Sequence, residues 1–358
     1  MESSEFANHP PAVNYSGSAR IRTGDHCLVR GYFSDLESVA QRYLEFRFSK
    51  VKSERSKIWI EKTLKKLLEH TGGKITRESL LRFQSWYMRN FGYESQKKFY
   101  DNTRAFLEYL YKETGDLTFR ELKEVLDRPQ RQSKKLNKII IRPVDVENVI
   151  KGIYNTPKSP YDPPWKYAYF RIKHIANTLF LAYTGQRPQS TTDRLTFEDF
   201  EKALKRNPPM LWIPEEKDKE SFPHWVPLHP VVVEWIKPVI EFRHLINAKD
   251  SVPVFPYNSL RIVLIDLDIK AHHTGMRIQP SHFRKFFEQM CNNVLMVHPG
   301  LRDYIMAHNT GSLDVQSYDG KLPSEIYRQY MEKWGKVNLV PPGVKLEKLV
   351  SMLPHTGD

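Results

Sequence analysis

From Arg128 to Arg142 the chain carries six basic residues, Arg128, Arg131, Lys134, Lys135, Lys138 and Arg142, and no acidic one, with Pro129, Gln and Ser between them. A block of one charge sign repels itself and resists burial, so it divides the chain into parts that must fold on either side of it. At 358 residues there is enough chain for two domains, each with its own core. The expected organisation is an irregular segment at 1–33, a helical domain at 34–128, a basic linker at 129–142, a second domain at 143–335 and a tail at 336–358. A solvated hinge satisfies the linker's composition. Contacts to a phosphate backbone would use the same charges.

Helical periodicity dominates both halves. Ser34 and Glu37 have capping-box spacing ahead of an apolar stripe of Leu36, Val39, Ala40, Tyr43 and Leu44. Helices are predicted around 57–70 before Gly72, 77–91 before Gly92 and 95–113 before Gly115, with a short one capped by Thr118 and Glu121. In the second half a helix near 145–154 precedes a strongly apolar one at 166–184, ended by Gly185. The β-type segments 210–214 and 224–228 flank a charged loop and read as a hairpin. Helices resume near 229–247, 258–270, 281–297, 300–307 and 323–334. The fold class is therefore mainly α with a small β-sheet (α+β).

The 55 Lys and Arg against 42 Asp and Glu give a net charge of +13, which favours a polyanionic partner, nucleic acid first. Cys27 and Cys291 stand far apart without zinc-spaced partners, so no disulfide framework and no metal site is expected. No apolar run approaches the ~18 residues of a membrane span, and the first residues lack the apolar core of a signal peptide. The expectation is a soluble cytoplasmic protein without a membrane partner or a cofactor.

Five residues of different chemistry stand out in order. Arg187 lies in TGQRP, where Gly185 can take a left-handed cap and Pro188 prevents the helix from continuing. Lys219 and Lys217 share the hairpin loop EEKDKESFP. Arg284 lies in PSHFRKFFEQM, His308 in YIMAHNTG, and Tyr318 follows His308 by ten residues. Each alone has a bland reading: a solvated lysine paired with Glu216, Asp218 or Glu220, a surface histidine, one tyrosine among 18.

Together and in this order they resemble the tyrosine recombinase family, in its archaeal viral and plasmid integrases. The resemblance covers roughly 57–334 and is strongest in the second domain. It implies a helical core-binding (SAM-like) domain followed by a tyrosine-recombinase catalytic domain, closing as a C-shaped clamp on double-stranded DNA, with four protomers assembling on two sites. Arg187 matches the TGxRP arginine, and Ser190 replaces the acidic residue the family often has three positions later. Lys219 is preferred to Lys217, because Pro223, His224 and Val226-Pro227-Leu228 follow it at the spacing of an integrase hairpin. Arg284 matches the HxLRRxF box, in which Ser281 falls where histidine or lysine is usual. Ser281 reads as the cap of the helix it begins, and His282 next to it is rotated about 100° away. His308 matches the LGH box with Ala307 in place of glycine. Tyr318 is then the nucleophile, while Tyr327 and Tyr330, with Ile326, Met331 and Trp334, form an anchoring helix.

The implied chemistry suits these groups. A phenol attacks an anionic phosphodiester only with charge neutralisation and proton transfer. The forked donors of Arg187 and Arg284 would bind the non-bridging oxygens. Lys219 would protonate the leaving 5′-oxygen and His308 assist, leaving a 3′-phosphotyrosyl ester without metal or nucleotide. A type IB topoisomerase shares this chemistry, and a non-catalytic DNA-binding protein is the rival suggested by Ser281.

Residues 19–25, ARIRTGD, have no evident structural purpose. Ile21-Arg22-Thr23 can be encoded as ATT CGA ACC, the reverse complement of the tRNA T-loop sequence GGTTCGAAT. Integrases of the type resembled can carry their attachment site within their own gene. The segment is therefore expected to encode a site for integration into a tRNA gene.

Overall fold

The computed structural model describes residues 36–51, 53–130, 139–157, 161–308 and 310–354. The ARIRTGD segment, Ser34, and four basic residues of the linker (Arg131, Lys134, Lys135 and Lys138) lie outside them. The described residues cluster in two compact units, one ending at Gln130 and one starting at Ile139.

The first unit is five helices: α1 (Leu36–Lys50), α2 (Glu54–Thr71), α3 (Arg77–Asn90), α4 (Tyr93–Thr114) and α5 (Leu117–Val125). Helices α2 and α4 stop where Gly72 and Gly115 take left-handed conformations, at φ 59° and 70°, which glycine adopts without a Cβ penalty. The cap of α5 is Asp116, whose carboxylate accepts the Thr118 N–H at 2.9 Å. It displaces the Thr118 cap expected from the sequence, because the helix begins two residues earlier. Tyr43, Leu67, Phe83, Phe99, Phe106 and Leu110 form the core.

The second unit is built around α7 (Pro164–Thr184), every residue of which from His174 to Thr184 is buried. A helix apolar on all sides belongs at the centre. Around it pack α6 (Pro143–Tyr154), α9 (Pro230–Glu241), α11 (Pro280–Asn293) and α15 (Leu346–Val350). The remaining helices are α8 (Phe197–Leu204), α10 (Tyr257–Leu267), α12 (Pro299–Ile305), α13 (Leu313–Asp319) and α14 (Pro323–Trp334). Strands β1 (Met210–Ile213) and β2 (His224–Pro227) pair antiparallel, with Ile213 opposite His224, so the loop with Lys217 and Lys219 is the hairpin's tip.

Several expectations need revision. Ile139 and Ile141 are buried in the second core, and the Gln289 side-chain amide bonds Ile139 O and Ile141 N, each at 3.0 Å. The final residues of the expected linker thus belong to this unit. Helix α8 had not been anticipated; a Thr196–Asp199 capping box starts it and Phe197, Phe200 and Ala203 bury its inner face. The Tyr318 segment, which lies between the helices expected near 300–307 and 323–334, is itself helical. The expected helix at 229–247 ends at Glu241 and continues only as a 3₁₀ turn, Arg243–Ile246.

The tail covers its own unit. Leu339, Leu349 and Leu353 are buried in the second core, and Tyr183 Oη, on α7, bonds Val337 O at 2.8 Å and Leu339 N at 3.2 Å. Trp334 of α14 stacks on Phe287 of α11 (centroids 5.1 Å, interplanar 7°) and on Tyr330 (6.0 Å, 12°). Among the described residues no helix is long and apolar enough to cross a membrane.

Burial holds four imidazoles of this unit below the ordinary value of 6.5: His174 at about 3, and His224, His229 and His282 at about 4. An unfolded histidine takes up a proton near pH 6.5 that these do not, so stability present above pH 6.5 is lost as pH falls towards 4. Each contributes up to about 1.4 kcal/mol per pH unit in that window. Urea unfolding, read from amide exchange in α7, should show the second unit weakening steadily from pH 7 to 5. His174→Gln should shallow that slope, and a flat profile in the parent protein would contradict it.

Candidate active site

The site is organised on the C-terminal end of α12. A helix end leaves carbonyls without intrahelical partners, and three side chains from elsewhere take three consecutive ones. The Gln186 amide donates to Ile305 O, Arg284 Nη1 to Met306 O at 2.9 Å, and Arg187 Nη2 to Ala307 O at 3.0 Å. Arg284 Nη1 also donates to Gly185 O at 2.7 Å. Two cations at a helix C-terminus match the sign of its dipole. Helix α7, ending at Gly185 with φ 64°, and helix α11 are thereby joined to the turn before His308. A Cβ at Gly185 would meet Phe287 Cδ1 at 2.6 Å, so both its conformation and its packing require glycine. Ala307 has φ 48°, a left-handed value tolerated poorly by any side chain and least costly for the smallest.

Arg187, Glu220, Asp303, Ala307, His308 and Ser312 line an open cleft of about 660 Å³. Arg187 further reaches Asp218 Oδ1 at 3.4 Å and Glu220 Oε1 at 3.3 Å. Arg284 sits deeper. Burial, then the like charge of Arg187, bring its pKa down to about 10, so it stays protonated at neutral pH. His308 is half-exposed, with Nδ1 3.6 Å from Asp303 Oδ1 and its N–H donating to Asp303 O at 2.8 Å. Asp303 is in turn gripped by Arg302 at 2.7 and 2.8 Å.

The two hairpin lysines are placed differently. Lys217 is drawn onto the Asp199 carboxylate, whereas Lys219 is exposed and its one ion pair is with Glu220 at 3.4 Å. Glu220 therefore lies between Arg187 and Lys219. Of the two lysines, Lys219 is the more exposed.

Ser281 is not a helix cap. Pro280 is the first residue of α11, Gln279 is its cap, and the Gln279 N–H donates to His282 Nδ1 at 3.1 Å. With the cap two positions earlier than expected, Ser281 is exposed and His282 buried, its pKa lowered to about 4 by burial and then by Lys285. A neutral capping imidazole supplies no charge, and neither residue lines the cleft. Arg128, in the first unit, and Arg142, in the second, are both exposed.

Tyr318 is not brought into the cleft. It lies on α13 with its ring buried against α12, near Tyr304 (centroids 6.1 Å) and His298 (6.2 Å), and Lys321 Nζ lies 3.8 Å from the ring centroid. Burial and then Asp314 raise its pKa above the ordinary phenol range, so the hydroxyl is protonated here. Gly300 permits this packing: a Cβ there would meet Asp314 O at 2.8 Å and Tyr318 Cε2 at 2.9 Å. Residues not singled out from the sequence are Asp218, Glu220, Asp303 and His224. His224 is buried below the cleft with Nδ1 2.8 Å from Phe222 O and Nε2 unpartnered. Its place in the hairpin motif was the one available signal. Among the described residues no cluster of His, Cys, Asp and Glu has the composition of a metal site.

If that close approach holds α13, Gly300→Ala should cost about 1–3 kcal/mol, as overpacking does, and speed amide exchange selectively in 313–319. Unchanged exchange there would show that something else fixes the segment.

No protein-family model and no curated protein matches the chain. Solved structures do. It is similar to a lambda integrase dimer bound to a COC′ core site, at a TM-score of 0.56 and 12% identity over 85% of this chain and 80% of that one. A lambda integrase tetramer bound to a Holliday junction gives 0.56 and 12% over 78% of each chain. XerH site-specific recombinase bound to difH substrate, in a pre-cleavage complex, gives 0.52 and 14% over 86% of this chain and 98% of that one. At such identities the likeness is one of fold, and it extends over most of the chain: this protein has the fold of lambda integrase and XerH.

Proposed function

We propose that the protein is a site-specific DNA recombinase that cleaves and rejoins duplex DNA through a 3′-phosphotyrosyl intermediate. The observation that carries this reading is the convergence of Arg187 and Arg284 on adjacent carbonyls immediately before His308. One preorganised guanidinium lining an open cleft, with a second held deeper beside the same helix end, suits the charge that builds on a phosphate's non-bridging oxygens. The fold likeness to DNA-bound recombinases supports the same reading, as does the net charge of +13.

In this mechanism a phosphate enters beside Arg187 and displaces the exposed Glu220 carboxylate, releasing Lys219 as well. The α13 segment moves so that the Tyr318 hydroxyl leaves its seat on α12 and lies in line with the 5′-oxygen. Its oxygen bonds to phosphorus as the P–O5′ bond breaks. The phenolic proton passes to His308 or solvent, and Lys219 delivers a proton to the departing oxygen. Arg128, Arg142 and the basic residues between them bind duplex DNA. Four protomers assemble on two sites, as the lambda integrase tetramer does on its junction. The codons of residues 19–25 mark the attachment site, within a tRNA gene. His282 caps the helix bearing Arg284, and neither it nor the exposed Ser281 takes part in proton transfer.

A nicked suicide duplex tests this directly, in chelator and without nucleotide, with one arm carrying the codons for residues 19–25 and their flanks and one arm scrambled. The expected result is a covalent adduct, favoured on the first arm and abolished by Tyr318→Phe with duplex affinity retained. Binding without any adduct would leave a non-catalytic DNA-binding protein. Adduct that persists in Tyr318→Phe would move the nucleophile, and equal yield on both arms would remove the tRNA-site assignment.

A further inference from the structure

Arg187 has one anionic neighbour that solvent cannot reach. The Asp218 carboxylate is fully buried and receives three donors. Thr191 Oγ1 donates to Oδ1 at 3.2 Å, Arg187 Nη1 lies 3.4 Å from the same oxygen, and the Glu220 N–H donates to Oδ2 at 2.8 Å. A buried carboxylate so bound is costly to move, because breaking one contact leaves charge without compensation. Glu220 differs: it is exposed and can swing away from Arg187 and Lys219.

The three donors come from two elements. Thr191 belongs to the turn that follows Arg187, closed by Thr191 N–H to Arg187 O at 3.2 Å and Thr192 N–H to the same oxygen at 2.9 Å. Glu220 and Asp218 belong to the hairpin tip, on either side of Lys219. Asp218 thus ties the arginine turn to the lysine loop. Ser190, on that turn, carries no charge with which to do the same.

We propose that Asp218 is a positioning residue, which fixes the Arg187 guanidinium and locks the Lys219 loop to the arginine turn. It acts through Arg187 and touches no reacting atom. The proposal rests on the phosphodiester-cleavage reading, and its test separates the two.

Single-turnover adduct formation by the full-length protein is measured on two suicide duplexes, one with a normal scissile phosphate and one with a neutral methylphosphonate in its place. The charge that Arg187 neutralises is missing from the second. Asp218→Asn should slow cleavage of the phosphodiester by ~10²-fold, the scale for misplacing a catalytic group, with duplex affinity unchanged. On the methylphosphonate the gap between variant and parent should shrink to a few-fold. Thr191→Val loosens the carboxylate without removing it and should show a smaller defect with the same preference, which keeps the test open if Asp218→Asn does not fold. An equal defect on both duplexes would reduce Asp218 to a general structural role, and no defect would discard it. No adduct from the parent protein on either duplex would instead overturn the cleavage reading itself.

Discussion

The end of α12 is the point on which the second unit's chemistry depends. Three carbonyls in succession, Ile305, Met306 and Ala307, are taken by Gln186, Arg284 and Arg187. Burying a guanidinium is expensive unless its donors are met, and unmet carbonyls at a helix end are costly too. Each deficiency relieves the other. The consequence is a pair of cations anchored on backbone carbonyls, Arg284 on Gly185 O and Met306 O, and Arg187 on Ala307 O together with the Asp218 and Glu220 carboxylates. Removing either arginine would therefore disturb the helix end as well as the charge of the cleft.

This arrangement also explains two sequence features that look unrelated. Gly185 must be glycine because its left-handed backbone presents its carbonyl to Arg284 while Phe287 packs where a Cβ would stand. Ala307 accepts a left-handed conformation so that the chain can turn out of α12 and expose His308 to the cleft. Strain at such a position persists only where surrounding contacts over-determine it. The contacts here are the Arg187 bond to Ala307 O and the Asp303 carbonyl that accepts the His308 N–H.

Much of the helical framework was legible because its ends are chemically marked. Gly72, Gly115 and Gly185 stop three helices, and the uninterrupted apolar run to Thr184 identified the central one. Errors cluster where one residue changes a face. Reading Ser281 as the cap instead of Gln279 misplaced the start of α11 by two residues, and inside the helix the neighbours Ser281 and His282 face outward and inward. Pro280, favoured at a first helical position, was the overlooked signal. Helix α8 was missed because it is short and lies between a turn and a strand. The arginines and His308 were recognisable from local motifs, but the seat of Tyr318 depends on Gly300, eighteen residues away, and no local pattern announces such packing. Asp218 was hidden for a similar reason: in sequence it is one charge among many in EEKDKES, and only folding buries it against Thr191.

The central claim is that Arg187 and Arg284 receive a phosphate's charge while Tyr318 attacks it. The most direct measurement is the structure of the protein on a nicked duplex with vanadate in place of the scissile phosphate. The account predicts a trigonal-bipyramidal vanadate with Tyr318 Oη at one apex, the 5′-oxygen at the other, and nitrogens of both arginines about 3 Å from the equatorial oxygens. Vanadate bound away from the arginines, or held by a different tyrosine, would contradict it.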